Sequence, residues 1–214
     1  DIVAGARLIF SDGRLRAFGV IAIVGGFANS LVSTMYMLFV INSLGFKPGI
    51  LGVIFAVGGV SSLFGALAAR RAADTLGTGM AMVAGLALEG VGLMLLPIAR
   101  GAGPVSVALL VAQQLIGDGG ATVYMINAVS LIQAIAPAAM LGRVNASLRF
   151  VGLGSVLVGQ LVAGVAGGVI GLRATIAIGA AGLWLTAALL GFSEVGSLGG
   201  LADEPPPAAA GADE

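Results

Sequence analysis

The chain contains no cysteine and no histidine, and only 9% of its 214 residues are charged. The first two absences exclude disulfides, thiolate nucleophiles and most zinc sites, and they remove the side chain that most often acts as a general base. A water-soluble domain usually carries about 25% charged residues. The missing charge therefore indicates a surface that faces lipid. Because the net charge is zero, no basic field indicates binding to nucleic acid.

Long apolar runs fill most of the sequence, which is 58% hydrophobic with a mean hydropathy of +1.10. A hydrocarbon core of about 30 Å requires roughly 17–25 apolar residues per helix. We therefore predict an all-α membrane protein whose six transmembrane helices cover residues 17–41, 50–69, 80–98, 105–128, 151–170 and 174–192. Residues 1–16 would be a cytoplasmic linker. Residues 193–214, rich in Pro, Ala and Gly, would be a disordered cytoplasmic tail.

The basic residues predict the orientation of these helices. Seven fall on one side of the predicted membrane, namely Arg7, Arg14, Arg16, Arg70, Arg71, Arg143 and Arg149. The other side carries only Lys47, Arg100 and Arg173. Because cytoplasmic loops carry the excess of Lys and Arg, we predict that both termini are cytoplasmic.

Small residues recur at a constant offset between the two halves of the chain. Those of the first half are Gly58, Ser61, Gly65, Ala69, Gly77 and Gly85, and their counterparts are Gly152, Ser155, Gly159, Ala163, Gly171 and Gly179. The match is either chance in a chain with 36 glycines or a three-plus-three repeat. Three helices repeated once run in opposite directions, which would make the repeat inverted.

Several segments resemble the major facilitator superfamily of transporters, most closely its enterobactin-exporter-like and drug-efflux branch. Residues 124–137 and 141–150 are similar to the region after the family's tenth helix, residues 171–175 to the segment before its last helix, and residues 4–10 to the linker into its seventh helix. The resemblance, over about residues 4–193, implies the C-terminal half of a transporter in the bacterial inner membrane. The N-terminal six-helix half would be its partner, and the implied activity is proton-coupled efflux of a small molecule by alternating access.

The same resemblance implies a cytoplasmic gate loop. Its residues here would be Arg70, Arg71, Asp74, Gly77, Pro137, Gly142 and Arg143. The pattern departs from the family at Ala69, where an acid is expected, and at Ala138 and Ala139, where relatives tend to be charged.

Polar side chains in two helices predict a substrate cavity, since polar groups at membrane depth mark pathways or helix contacts. They are Asn29, Ser33 and Tyr36 in the first helix and Gln113, Gln114, Asp118 and Thr122 in the fourth. Hydrogen bonding between helices is the alternative for the first set, and the resemblance favours the cavity. The glycines at 117, 119 and 120 predict an unwound segment in the fourth helix.

Two carboxyl groups, those of Asp118 and Glu89, are candidates for carrying a proton. Asp118 could instead cap a half-helix beginning at Gly119, and Glu89 could be a neutral group bonded to a neighbour. Without His or Cys only these two could do acid–base chemistry, and nothing in the sequence pairs them. We therefore expect no enzymatic activity and no cofactor or metal. A non-transporting membrane scaffold, or the remnant of a transporter, is the alternative function.

Small residues also form stripes on the second and fifth helices, at Gly58, Ser62 and Ala66 and at Ser155, Gly159, Ala163 and Gly167. Such stripes let helix backbones approach closely. By resemblance they would face the missing half of the transporter. Packing within this half is the other interpretation.

Overall fold

A computed structural model describes residues 12–199, which are helical and contain no strand. Six helices in this part are long and apolar enough to cross a membrane, as the sequence predicts. They are Gly13–Ser43, Pro48–Leu76, Thr78–Ile98, Pro104–Ile135, Leu141–Val169 and Leu172–Gly191, called here the first to sixth helices. Their number, length and composition indicate a multi-pass membrane protein.

Several helices extend beyond the apolar runs that predicted them. The second helix continues to Leu76, and the fifth begins at Leu141. An apolar run measures only the part of a helix that lies in hydrocarbon, whereas the helix itself ends at a capping residue. Gly77, whose φ of 83° favours glycine, ends the second helix.

The prediction that the gate residues lie in loops is therefore wrong for most of them. Arg70, Arg71 and Asp74 lie on the last turns of the second helix, where Arg70 and Asp74 form an exposed ion pair of 3.8 Å. Gly142 and Arg143 lie in the first turn of the fifth helix. Of the predicted loop residues, only Gly77 and Pro137 lie between helices.

The first helix begins four residues earlier than predicted. Asp12 caps it, since its Oδ1 accepts hydrogen bonds from the backbone N–H groups of Arg14 (2.8 Å) and Leu15 (3.2 Å). Residues 13–16 therefore belong to the helix, whereas the predicted linker included them. The remaining linker residues, 1–11, lie outside the described part of the chain.

Two helices contain a π-helical turn. In the first helix it covers Phe39–Ser43, and in the fourth it covers Gln114–Asp118. The fourth helix then continues as an α-helix over Gly119–Ile135. The predicted unwound segment at the glycine run is therefore wrong. A π-helical turn alters the register of a helix without interrupting it, and such turns are frequent at functional sites.

The helices pack in two groups, which are joined most extensively by the third and sixth helices. The first helix packs mainly on the fifth and sixth, and the fourth packs mainly on the second and third. The third and sixth helices also pack on each other. One apolar core surrounds Phe39, Leu96 and Ile176 near the end that carries Lys47 and Arg173. A second core, around residues such as Leu15 and Leu190, lies near the end rich in arginine.

Three contacts that the second and third helices make with the fourth recur, at the same register, between the fifth and sixth helices and the first. The Ser61–Leu115 contact corresponds to Ser155–Ile23, Gly65–Gly119 corresponds to Gly159–Phe27, and Gly85–Gly120 corresponds to Gly179–Ala28. In the first set each serine hydroxyl donates to the partner's carbonyl oxygen. In the other two sets a glycine lies against the partner's carbonyl oxygen, so close that an added Cβ would lie within 2.5–3.0 Å of it.

The small-residue stripes pack inside this six-helix unit. On the second helix the buried residues include Gly58, Ser61, Gly65 and Ala69, and this face lies against the fourth helix. Ala66 is exposed, so the predicted stripe departs from the packed face. On the fifth helix, Gly159 and Gly167 contact the first helix. At these positions the structure thus shows packing within the six-helix unit.

Residues 193–199 fold back onto the third helix, although they were predicted to be disordered. The backbone N–H of Thr78 donates to the carbonyl oxygen of Gly199 (3.0 Å), and that of Gly79 donates to Leu198 (3.3 Å). Val195 is completely buried. The first N–H groups of a helix lack partners within it, and this segment supplies them. Residues 200–214 of the predicted tail lie outside the described part.

Truncation after Phe192 should destabilise the protein, because the third helix loses two acceptors and the core loses Val195. We expect a loss of about 1–3 kcal/mol in the free energy of unfolding, measured by thermal unfolding in detergent. Truncation after Gly199 is the control and should leave stability unchanged. Equal stability of both truncated chains would contradict a structural role for this segment.

Candidate functional site

A polar cavity of about 380 Å³, called here the first cavity, lies between the first, second, third and fourth helices. Its lining consists of Asn29, Val32, Ser33, Tyr36, Met37, Phe55, Glu89, Leu93, Gln113, Gln114, Gly117 and Asp118. Ligand pockets usually measure about 300–1,000 Å³ and combine apolar walls with a few convergent polar groups. The first cavity has both properties.

The sequence predicts most of the polar residues that line it. Asn29, Ser33, Tyr36, Gln113, Gln114 and Asp118 come together, as does Glu89. The π-helical turn at Gln114–Asp118 forms part of the wall. Asn29 and Tyr36 of the first helix line the cavity and also hydrogen-bond to other helices. Ser33 lines the cavity too, but its hydroxyl donates to the carbonyl oxygen of Ser30 in the same helix.

Tyr36 joins the first helix to the fourth and second helices. Its hydroxyl donates to Oε1 of Gln113 (3.1 Å), which is buried. Its ring lies 5.6 Å from that of Phe55 at a tilt of 37°. Offset and tilted ring pairs of this separation are attractive. One wall of the cavity is therefore an aromatic pair held in place by a hydrogen bond.

Glu89 accepts a hydrogen bond from Nδ2 of Asn29 at 2.8 Å. This bond joins the third helix to the first. It agrees with the interpretation of Glu89 as a group bonded to a neighbour, but the same side chain also lines the first cavity. Sequence alone pairs Glu89 with no other carboxyl group, whereas the fold places Glu89 and Asp118 in one lining.

Close packing of the third and fourth helices positions Glu89. A Cβ added at Gly85 would lie 2.7 Å from the carbonyl oxygen of Gly120, and one added at Gly92 would lie 2.7 Å from Cα of Gly117. The glycine run of the fourth helix thus serves close helix contact. This explains why it does not unwind.

Asp118 lies at the end of the π-helical turn with helical backbone angles, and its side chain makes no capping hydrogen bond. The predicted capping role is therefore wrong, because the helix is continuous and the following N–H groups have partners within it. The carboxyl group instead lies beside Gly58 of the second helix, together with the amide of Gln114.

Thr122 is the one predicted cavity residue of the fourth helix that the lining excludes. Its hydroxyl donates to the carbonyl oxygen of Asp118 (2.8 Å), one turn earlier. Its Cβ faces Gly65 of the second helix. Thr122 therefore packs between the fourth and second helices and does not reach the cavity.

A second cavity of about 490 Å³ lies toward the arginine-rich end. It is lined by Ile21, Ala22, Gly25, Gly26, Asn29, Leu86, Glu89, Ala121, Tyr124, Met125, Arg149, Gly152, Leu153, Val156, Leu183 and Thr186. Sequence analysis missed it because most of these residues are apolar. Arg149 was assigned to a loop, and only the longer fifth helix brings it to this wall.

The described residues contain no group of three or more acidic side chains that could hold a metal ion. The polar groups of the first cavity are amides, hydroxyls and two carboxyls, which suit hydrogen bonding to a small polar or cationic molecule. Comparison of the chain with known protein families, curated proteins and solved structures gives no match.

Substitution of single glycines in the second helix should separate helix contact from cavity lining. At Gly65 a Cβ would meet the backbone of the fourth helix at 2.5 Å, whereas at Gly59 it would meet nothing within 4 Å. We expect Gly65→Ala to lower the free energy of unfolding by about 1–3 kcal/mol, as overpacking does. Gly59→Ala is the matched control and should raise it by up to about 1 kcal/mol through helix propensity.

Gly58→Ala should fall between these two variants, since its Cβ would meet only the ends of the Asp118 and Gln114 side chains. Thermal unfolding in detergent measures all three. If Gly65→Ala were as stable as Gly59→Ala, the second and fourth helices would not be in the close contact described.

Proposed function

We propose that this chain is the six-helix half of a secondary transporter that exports a small molecule in exchange for protons. The observation that carries the proposal is the first cavity. It lies between four membrane-spanning helices and is lined by two carboxyl groups, two glutamines and an aromatic pair. Ionisable groups inside transmembrane helices are costly and mark substrate or proton pathways.

The proposal includes a three-plus-three inverted repeat, and the recurring contacts support it. The serine and glycine contacts of the second and third helices with the fourth recur between the fifth and sixth helices and the first. Chance similarity of two glycine-rich segments would not reproduce the partner residues at the same register. Gly77 and Gly171 also match, with φ of 83° and 86°, each before the third helix of its half.

The two cavities support the repeat further. Residues that line the first cavity match residues that line the second at the sequence offsets of the recurring contacts. The matched pairs include Asn29–Ala121, Ser33–Met125, Phe55–Arg149, Glu89–Leu183, Gln114–Ala22 and Asp118–Gly26. An inverted repeat would place such a pair of cavities toward opposite ends of the bundle. Cavities that reach toward opposite ends of the bundle are compatible with alternating access.

The orientation that we propose places both termini and the arginine-rich end in the cytoplasm of a bacterial cell, in its inner membrane. The alternating access that we propose needs a second wall, which an N-terminal six-helix half would supply. If the chain instead acts as a non-transporting scaffold, vesicles that contain it together with such an N-terminal half will move no substrate.

The orientation is testable with single cysteines, because the chain has none of its own. Gly103 and Ala139 are exposed and lie between helices at opposite ends. In intact cells an impermeant thiol reagent should label Gly103→Cys and leave Ala139→Cys unlabelled until the cells are opened. The reverse pattern would overturn the proposed topology.

Asp118→Asn should abolish proton-driven transport, because an amide of the same shape cannot release a proton. A panel of fluorescent dyes in energised inside-out vesicles would identify a transported probe, and its accumulation would then be compared between variants. Gln133→Asn is the control, since Gln133 is exposed and lines neither cavity. Proton-driven accumulation by Asp118→Asn at the unsubstituted rate would contradict a coupling role for Asp118.

A further inference from the structure

Asn29 and Glu89 are the residues common to the linings of the two cavities. Every other residue named for either lining belongs to one of them alone. The first cavity reaches toward the Lys47 end through Met37 and Phe55, and the second reaches toward the arginine-rich end through Ile21 and Arg149. The hydrogen bond between Asn29 and Glu89 therefore lies at the division between them.

Little else joins the first and third helices at this point. The first helix packs mainly on the fifth and sixth helices, and the third helix is not among its main neighbours. The position of Glu89 is fixed, because glycines on either side of it pack the third helix closely against the fourth. Asn29 is exposed. One hydrogen bond thus spans the gap between the third helix and the first.

We propose that the Asn29–Glu89 pair is the partition between the two cavities, and that the carboxyl group of Glu89 exchanges a proton with water on both sides of it. The proton part rests on the transport function proposed above. Glu89 takes a proton from hydronium in one cavity, leaving water, and releases it to water in the other. Asn29 is a positioning residue, because its amide donates to Oε1 and undergoes no change in protonation.

Asp118 and Glu89 differ in which cavities they reach. Asp118 lines only the first cavity, so a proton held there has no direct access to the second. Glu89 has access to both. The other titratable groups that line the cavities are Tyr36 beside Asp118 in the first and Tyr124 and Arg149 in the second, while the sixth helix contributes none. Negative charge is thus confined to the first cavity and the shared wall.

Single-cysteine accessibility tests the partition independently of transport. Ser33→Cys reports on the first cavity and Met125→Cys on the second, and both positions are exposed. In the otherwise unsubstituted full-length protein, each should react with an impermeant thiol reagent mainly from one side of the membrane, and the sides should be opposite. Equal labelling of both from both sides would overturn the partition.

Substitutions at Glu89 then distinguish the effect of its hydrogen bond to Asn29 from the effect of proton exchange. Glu89→Ala removes the bond, and labelling of Met125→Cys from the side that reaches Ser33 should rise about fivefold, the change expected for loss of one ordinary hydrogen bond. Glu89→Gln keeps an acceptor oxygen for Asn29, so labelling should stay as in the parent. Asn29→Ala should behave as Glu89→Ala does, whereas Asp118→Asn should leave labelling unchanged.

Proton exchange is tested with the fluorescent probe in energised vesicles. Glu89→Gln should lose proton-driven accumulation while its cavities remain separate, and accumulation at the parent rate would overturn the proton part of the proposal. If the two cysteines are labelled from opposite sides but the protein moves no probe, the result contradicts the transport function and supports the partition. The failure of one proposal is therefore distinguishable from the failure of the other.

Discussion

The backbone of the fourth helix lies in direct contact with the second and third helices, and the rest of the structure depends on this closeness. Between helices in lipid there is no hydrophobic driving force, so association rests on dispersion contacts and on hydrogen bonds. Gly65, Gly85 and Gly92 supply the contacts, and the hydroxyl of Ser61 supplies a bond to the carbonyl oxygen of Leu115 (2.6 Å). A side chain at any of these glycines would push the fourth helix outward and open the cavity wall that it forms.

The polar site follows from this packing. Because the third and fourth helices meet through glycine, Glu89 and Asp118 reach one cavity although they lie on different helices. Each is set beside a partner from another helix, Glu89 beside the amide of Asn29 and Asp118 beside Gly58. Burying such groups is costly unless they are hydrogen-bonded, so their presence in an otherwise apolar chain calls for a function.

Much of the fold could be predicted from sequence, because the length of an apolar run fixes the number of spans. The polar faces of the first and fourth helices also predicted most of the first cavity. What failed were features that depend on neighbours. The glycine run looks like a break until the third helix is packed on it, and Thr122 looks like a cavity residue until Gly65 of the second helix is placed against it. The segment at 193–199 looks disordered until the unpaired N–H groups of Thr78 and Gly79 are placed beside it.

The two cavities differ in chemistry although they correspond in position. Where the first has Glu89, Asp118 and Gln114, the second has Leu183, Gly26 and Ala22. If the repeat is inverted, as proposed, two identical cavities would make the ends of the bundle equivalent, and a proton would meet the same groups from either side. Confining the carboxyls to one cavity and to the wall between the two removes that equivalence. Under the proposed function, the repeat would supply the geometry of alternating access, and the unmatched polar residues would decide at which end a proton or a cationic molecule is held.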